Sequence, residues 1–514
     1  MMQKRLILLS ILWLTFPSIL FADGDLSFPA DPCISSWSHL PSEAYLYQYG
    51  KDFGYSAFLE RLRANQIDRK QCHKTWTVLI YMSATKDMLP YGVADLLEME
   101  SPMAGSSLRS DVVVQLNNGI SQKSQRLHIF PNQNAEKRLV SKQDLKTLTE
   151  YQILSPRVFE FEPDPESPEQ VRFEEFLRWG IEEYPSEHYF VIIWGHGQVW
   201  TGLTSATSGI TSQTHLSLPN IRQVLKSLKK WRGDPIDVFA ADSCFMQSTE
   251  DVTELSKYSH YICGSEDIES YAGFPYEALL SELNSGKFGG ASRLASNMER
   301  SYSEPYLAAW MVPYLYQSSF DLKHGSQREL DPRAYYDLTG SSVMSKNVRL
   351  TLVPALNNLG EALSQYIQEN PEHQFDLRSL VRRGEHFRGN TQDLGDFLKR
   401  LDGTLRIELA ALKEKKSVVL GLLESALRKA NSALTYTVIN FALGEKYGQF
   451  DPKKEYGPRG LSIWLPKTAA EYRSKIEDFK RSKLFKPQRG RNLSGWAKWL
   501  DDLHTDPPEI APQP

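Results

Sequence analysis

The chain reads as an α/β protein, a mainly parallel sheet with helices on both faces. Two observations predict this. Short apolar runs at 76–82, 189–194 and 236–241 end abruptly in polar or glycine-bearing turns, as strands buried on both faces do. Between them, residues 168–183 and 218–231 place apolar side chains at helical spacing. Strand–helix–strand alternation needs right-handed crossovers, hence parallel neighbours.

In order along the chain, Lys4 and Arg5 precede an apolar run over 6–20 and a small residue, Ala22. This is the layout of a secretory signal peptide over 1–22, cleaved after Ala22. Pro17 and the shortness of the run argue against a retained membrane anchor. A secreted or periplasmic protein with no stable membrane insertion is expected. Residues 23–73, with Pro29, Pro32 and Pro41, read as an N-terminal extension or propeptide. The sheet domain spans 74–330. Its first strand, 76–82, is followed by a helix over 87–99 (Leu89, Val93, Leu96, Leu97), a strand at 111–116 and a hairpin or edge excursion at 125–130. The helix at 168–183 leads to the strand that ends in Gly195-His196-Gly197. The helix at 218–231 leads to the strand that ends in Asp242-Ser243-Cys244, and a further strand occupies 261–265. Beyond Gly273 the pattern turns helical at 278–302, 347–368, 396–412 and 418–431, with strands at 433–442 and 461–465. Residues 331–514 are therefore expected as a mostly helical region with late strands, packed on the sheet domain.

Composition excludes several classes. With 59 basic and 63 acidic residues the net charge is −4, too balanced for a nucleic-acid partner. The basic run from Lys480 to Arg491 reads as a solvated face. Four cysteines in 514 residues are no disulfide scaffold. Cys33 and Cys72 are the one plausible pair, Cys263 reads as a core thiol, and Cys244 stays free. No His-Glu-x-x-His or paired Cys-x-x-Cys marks a metal, no glycine-rich phosphate loop follows a strand, and no Gly-x-Ser-x-Gly sits at a strand end.

The chemistry lies at the strand ends. Adjacent parallel strands would bring His196 and Cys244 to one carboxyl edge, where α/β sites form. A helix starting near 247 would favour the thiolate. His196 would then be the base, Cys244 the nucleophile, and the backbone N–H groups of Gly197 and Cys244 the oxyanion donors. Gly197, lacking a Cβ, would let the scissile carbonyl approach the main chain. Asp242, two residues before the thiol, either caps the following helix or pairs with a cationic substrate side chain. Glu266 and Asp267 would reinforce its field or stand by as surface carboxylates. The duller alternatives are a packed thiol at Cys244 and a turn histidine at His196. The second His-Gly, at His324, follows no buried strand and reads as a loop.

These motifs resemble the clostripain-like cysteine peptidases of the caspase–gingipain branch. The likeness runs in order through the strand at 76–82, Trp194-Gly195-His196-Gly197, Asp242-Ser243-Cys244, Gly264-Ser265-Glu266 and Gly273-Phe274-Pro275-Tyr276. It continues through Asp393-Leu394-Gly395-Asp396-Phe397 to the segment 460–466. The resemblance implies a caspase-like fold and an endopeptidase cutting protein or peptide substrates after Arg or Lys. In it His196 and Cys244 are catalytic and Asp242 is the acid of the P1 pocket. It further implies maturation by self-cleavage in many members, for which Lys226, Lys229, Lys230 and Arg232 are candidate sites, and calcium dependence in some. No cofactor is required for the chemistry itself. Ser83-Ala84-Thr85-Lys86-Asp87 departs from the more acidic, asparagine-containing sequence usual after the first strand. A catalytically silent binding or adhesion module of the same fold, and a cysteine amidase acting on non-protein substrates, remain alternatives.

Overall fold

The computed structural model describes residues 74–101, 110–129, 157–198, 202–204, 215–285, 305–313, 339–411, 418–447, 456–486 and 493–505, apart from a few positions inside these stretches and with isolated residues between them. The leader and extension expected over 1–73, the Cys33–Cys72 pair and the His324 loop lie outside the described residues.

A nine-stranded sheet organises the molecule. Its middle is parallel: β2 (Ser110–Asn118), β1 (Lys74–Ala84), β5 (Ser186–Gly195), β9 (Ile236–Asp242) and β10 (Ser259–Ser265) lie side by side in that order. Antiparallel strands extend both edges. β3 (Ser124–His128) and β4 (Arg157–Phe161) continue beyond β2, and β11 (Thr339–Met344) and β13 (Val438–Leu443) beyond β10. Period-two alternation sends Leu79 and Tyr81 into one core and Val78 and Ile80 into the other, all fully buried. The first core is covered by α2 (Glu169–Glu183) and α3 (Leu218–Arg232), the second by α1 (Leu89–Met99) and α5 (Tyr276–Ser285). Ser217 caps α3 and Gly233 closes it with φ +94°. The candidate cleavage residues Lys226, Lys229, Lys230 and Arg232 thus stand on a regular helix, not on an extended strand.

The C-terminal region completes the sheet instead of resting on a finished one, since β11 and β13 belong to it. α6 (Val353–Glu369) packs against α9 (Val418–Thr437) and α11 (Gly495–His504). The expected strand at 433–442 is half helix. α9 runs on to Thr437 because Ala433, Leu434 and Thr437 fall on its buried face, and only Val438–Leu443 pair as a strand. The strand expected at 461–465 is β14 (Ser462–Trp464), paired antiparallel with β12 (Thr391–Asp393). These two strands join the later motifs to the sheet edge, where α4 (Thr249–Leu255) begins. Ser462 N donates to Gln247 O at 3.2 Å, and Thr249 Oγ1 donates to Ser462 O at 2.8 Å. α8 (Leu394–Ala411) follows β12 directly, and α7 (Gln374–Arg382) precedes it. A small sheet of β6 (Gly197–Gln198), β7 (Gly202–Thr204) and β8 (His215–Leu216) borders the end of β5.

Candidate active site

Register places the site. Trp194 on β5 stands opposite Asp242 on β9, so His196 and Cys244 each lie two residues beyond a matched pair, at the carboxyl edge. On the other side of β5, Ser83 of β1 pairs with Gly195, and the chain beyond β1 reaches the same edge. Gly195 adopts φ +139°, and a Cβ there would lie 2.7 Å from Ser83 O; only glycine fits the turn.

The two catalytic-type turns touch. A Cβ on Gly197 would sit 2.0 Å from Ser243 Oγ and 2.5 Å from Cys244 O. The glycine is needed for contact between the turns, a reason different from the expected approach of a substrate carbonyl. Phe245, directly after the thiol, takes φ +58°, an uncommon backbone state for a bulky residue. Its N–H donates to Asp267 O at 3.2 Å. The thiol does not face a helix N-terminus. α4 begins five residues after Cys244 and is closed by its own capping box, Ser248 with Asp251. Instead, Glu269 N donates to Cys244 Sγ at 3.2 Å. Cys244 is half-buried and opens on the cavity, unlike the sealed Cys263, whose thiol burial pushes up to about 12.

His196 has a partner that sequence reasoning missed. Its Nε2 lies 2.8 Å from Asp87 Oδ2, and Thr85 Oγ1 donates to the other carboxylate oxygen at 2.8 Å. Partial burial works to raise the Asp87 pKa, yet the bonds from His196 and Thr85 outweigh it and hold the carboxyl below its ordinary range. The signal available was position: Asp87 follows the end of a buried strand on the same edge. It stands within the very segment that departs from the usual family sequence.

Asp242 is buried at 4% exposure. Its Oδ2 accepts from Phe274 N at 3.0 Å and from Tyr276 Oη at 2.7 Å. It is no helix cap, because Ser248 holds that role. Burial pushes its carboxyl up to about 6, against the pull of the Phe274 and Tyr276 bonds. A second buried carboxylate, Asp95 of α1, accepts from Trp194 Nε1 at 2.7 Å. The missing Cβ of Gly273 marks where the two meet, 2.7 Å from Asp95 Oδ2 and 2.9 Å from Asp242 Oδ2. Burial first, then the Asp242 charge, raises Asp95 well above its ordinary value. His196, Gly197, Asp242, Cys244 and Glu269 all line one cavity of about 630 Å³.

Glu266, expected beside the substrate, does not line this cavity. It is buried at the end of β10, where burial and the neighbouring Asp393 carboxylate push its pKa well up. The hydrogen-bonding of Asp393 to Arg459 N and Asp396 N assigns this pair to the seam with the C-terminal region. In its place Glu269 and Tyr271 reach the cavity from the loop after β10, and Arg388, Lys475 and Phe479 reach it from the C-terminal region.

A model of the clostripain family matches residues 80–488. The chain belongs to the clostripain family. It is a cysteine peptidase with the caspase-like α/β architecture of that family. A secreted C11 cysteine protease from Bacteroides thetaiotaomicron, solved with an irreversible peptide inhibitor, superposes with a TM-score of 0.51 at 14% identity, covering 84% of this chain and 99% of that one. An inactive zymogen C11 protease from Parabacteroides distasonis gives 0.50 at 14%, with the same coverage. At such identity the superpositions speak for the fold alone. No curated protein sequence matches the chain.

Proposed function

We propose that this clostripain-family peptidase is exported by its N-terminal leader and cuts peptide bonds after Arg or Lys with a Cys244–His196 dyad. The supporting observation is that His196, Cys244 and the buried acid Asp242 open onto one cavity. His196 takes the thiol proton as Cys244 Sγ attacks the scissile carbonyl carbon. The carbonyl π electrons move to oxygen, facing the N–H groups of Gly197 and Cys244. Collapse breaks the C–N bond, and the imidazolium gives its proton to the departing amine. Water, deprotonated by His196, then releases the acyl group and restores the thiol. Asp87 orients the ring through its 2.8 Å bond. Asp242 would pair with the P1 cation, giving selectivity as well as affinity.

Calcium, an expectation from the resemblance, meets no group of three or more His, Cys, Asp or Glu side chains arranged to hold a metal among the described residues.

The test is covalent labelling by a P1-Arg peptide bearing a thiol-reactive group. Modification at Cys244, lost in Cys244→Ala and His196→Ala, is the expected result. Folded protein that resists every such probe would point to a silent module, and labelling by non-peptidic electrophiles alone to an amidase. For export, N-terminal sequencing of protein recovered outside the cytoplasm should begin at Asp23.

A further inference from the structure

The catalytic cavity is not made by the sheet alone. Arg388, Gly389, Lys475, Asp478 and Phe479 line it from residues that lie more than a hundred positions after the nucleophile. Arg388 sits on the tight turn before β12. Gly389 and Asn390 there have φ +79° and +63°, the left-handed state that glycine and asparagine adopt most readily. The turn is fastened from two sides. Phe387 N donates to Thr391 O at 2.9 Å, and Leu465 N donates to Asn390 O at 3.0 Å.

Lys475 and Phe479 stand one turn apart on α10 (Ala469–Phe479) and so share a face. That face is set by Phe479, whose ring stacks on Trp464 at 4.1 Å with planes 6° apart. Both cations are exposed to the cavity, and neither forms an ion pair with a described residue, Asp478 included. The same lining also holds the acids Asp242 and Glu269, with Asp95 beside Asp242 at Gly273. The cleft lining thus carries acids from the sheet side, and two cations and the acid Asp478 from the C-terminal region.

We infer that Arg388 and Lys475 form a carboxylate-accepting subsite that reads an acidic group beside the scissile bond, in the same cleft as the acid that takes the basic residue. This rests on the peptidase reading of the cavity. A guanidinium on a fixed turn offers paired N–H donors to a carboxylate, and the ammonium adds a mobile charge. The same wall repels a basic side chain entering from the wrong side, so it fixes peptide register as well as adding affinity. The carboxylate belongs either to an Asp or Glu side chain or to a substrate C-terminus close to the cut.

The experiment compares internally quenched P1-Arg peptides that differ only by Glu or Gln at each position flanking the cut, with free or amidated C-termini. For wild type, kcat/KM should favour Glu over Gln at one position by about fivefold, the upper end for a partly exposed ion pair, and less at high salt. A preference confined to free C-termini would identify the terminal carboxylate as the group read. The ratio should fall to about one in the Arg388→Ala/Lys475→Ala double variant and invert in Arg388→Glu/Lys475→Glu. Equal cleavage of every Glu/Gln pair by wild type overturns the inference and leaves the peptidase reading standing. So does a preference that survives in both variants. Wild type that cleaves none of the peptides and is not labelled at Cys244 removes the peptidase reading, and this inference with it.

Discussion

Acidification should weaken selection of a basic P1 residue through Asp242. Burial lifts this carboxyl from 3.8 to about 6, so it is charged at neutral pH and protonated in mild acid. About one molecule in eleven would carry the charge at about pH 5, and each further pH unit removes about tenfold. The assay is the inhibition constant of a peptide aldehyde ending in Arg, divided by that of its citrulline twin, measured from about pH 8 to 5. The ratio cancels ionisation of the thiol and imidazole, which both inhibitors feel alike. Preference for Arg should be steady at neutral pH and fall about tenfold by about pH 5. In Asp242→Asn it should be close to one throughout. Stability supplies an independent check with a definite sign. A carboxyl raised above its unfolded value favours the folded state fully below about pH 4, and that contribution is lost as pH rises through 6. The gap from 3.8 to about 6 corresponds to about 3 kcal/mol. Asp242→Asn, which cannot ionise, should therefore match or exceed wild type in denaturant midpoint at neutral pH, and this advantage should shrink toward acid. A flat Arg/citrulline ratio in wild type, or one that Asn leaves intact, would refute the assignment of Asp242 as the selector.

Two substitutions test the geometry of the proposed dyad. The Asp87 and His196 side chains are 65% and 36% exposed, so their bond is screened and worth at most about 1 kcal/mol. Asp87→Asn should lower kcat/KM about fivefold. A loss above a thousandfold, as for a buried triad acid, or no loss at all, would contradict an orienting role. Gly197→Ala forces a Cβ to within 2.5 Å of the Cys244 carbonyl, a backbone atom that cannot swing away. Displacing the two turns by about 1 Å should cost about a hundredfold in kcat while the melting transition stays cooperative. An unchanged kcat would show that the turns do not depend on each other.

Much of the sheet was legible because its strands are buried on both faces. The apolar runs at 76–82, 189–194 and 236–241 became β1, β5 and β9 with the polar turns where the runs stop. β4 escaped because its residues are half-buried or exposed and leave no apolar run. The α9–β13 junction was misplaced because Ala433 and Leu434 suit a buried helix face as well as a strand, and only the neighbouring elements decide. Cys244 and His196 were expected on one edge from what ends a strand, and both line the cavity there. Asp87, Glu269 and Arg388 sit in loops, where spacing carries no periodic signal, and tertiary packing alone delivers them to the cavity. Glu266 was misassigned for the converse reason. The end of a strand faces either solvent or the next layer, and here the C-terminal seam covers it.

The tie between Ser248 and Ser462, with Trp464 N bonded to the Glu250 carboxylate at 3.2 Å, has a consequence for the order of events on the ribosome. The segment carrying Cys244 is translated more than two hundred residues before the strand that pins it. Until that strand emerges, the nascent chain holds a thiol and an imidazole on a sheet edge that lacks the β14 tie, and Lys475 on α10 is still to come. A ribosome-bound precursor is therefore poorly equipped to digest itself or its neighbours, and competence arrives only as synthesis nears its end.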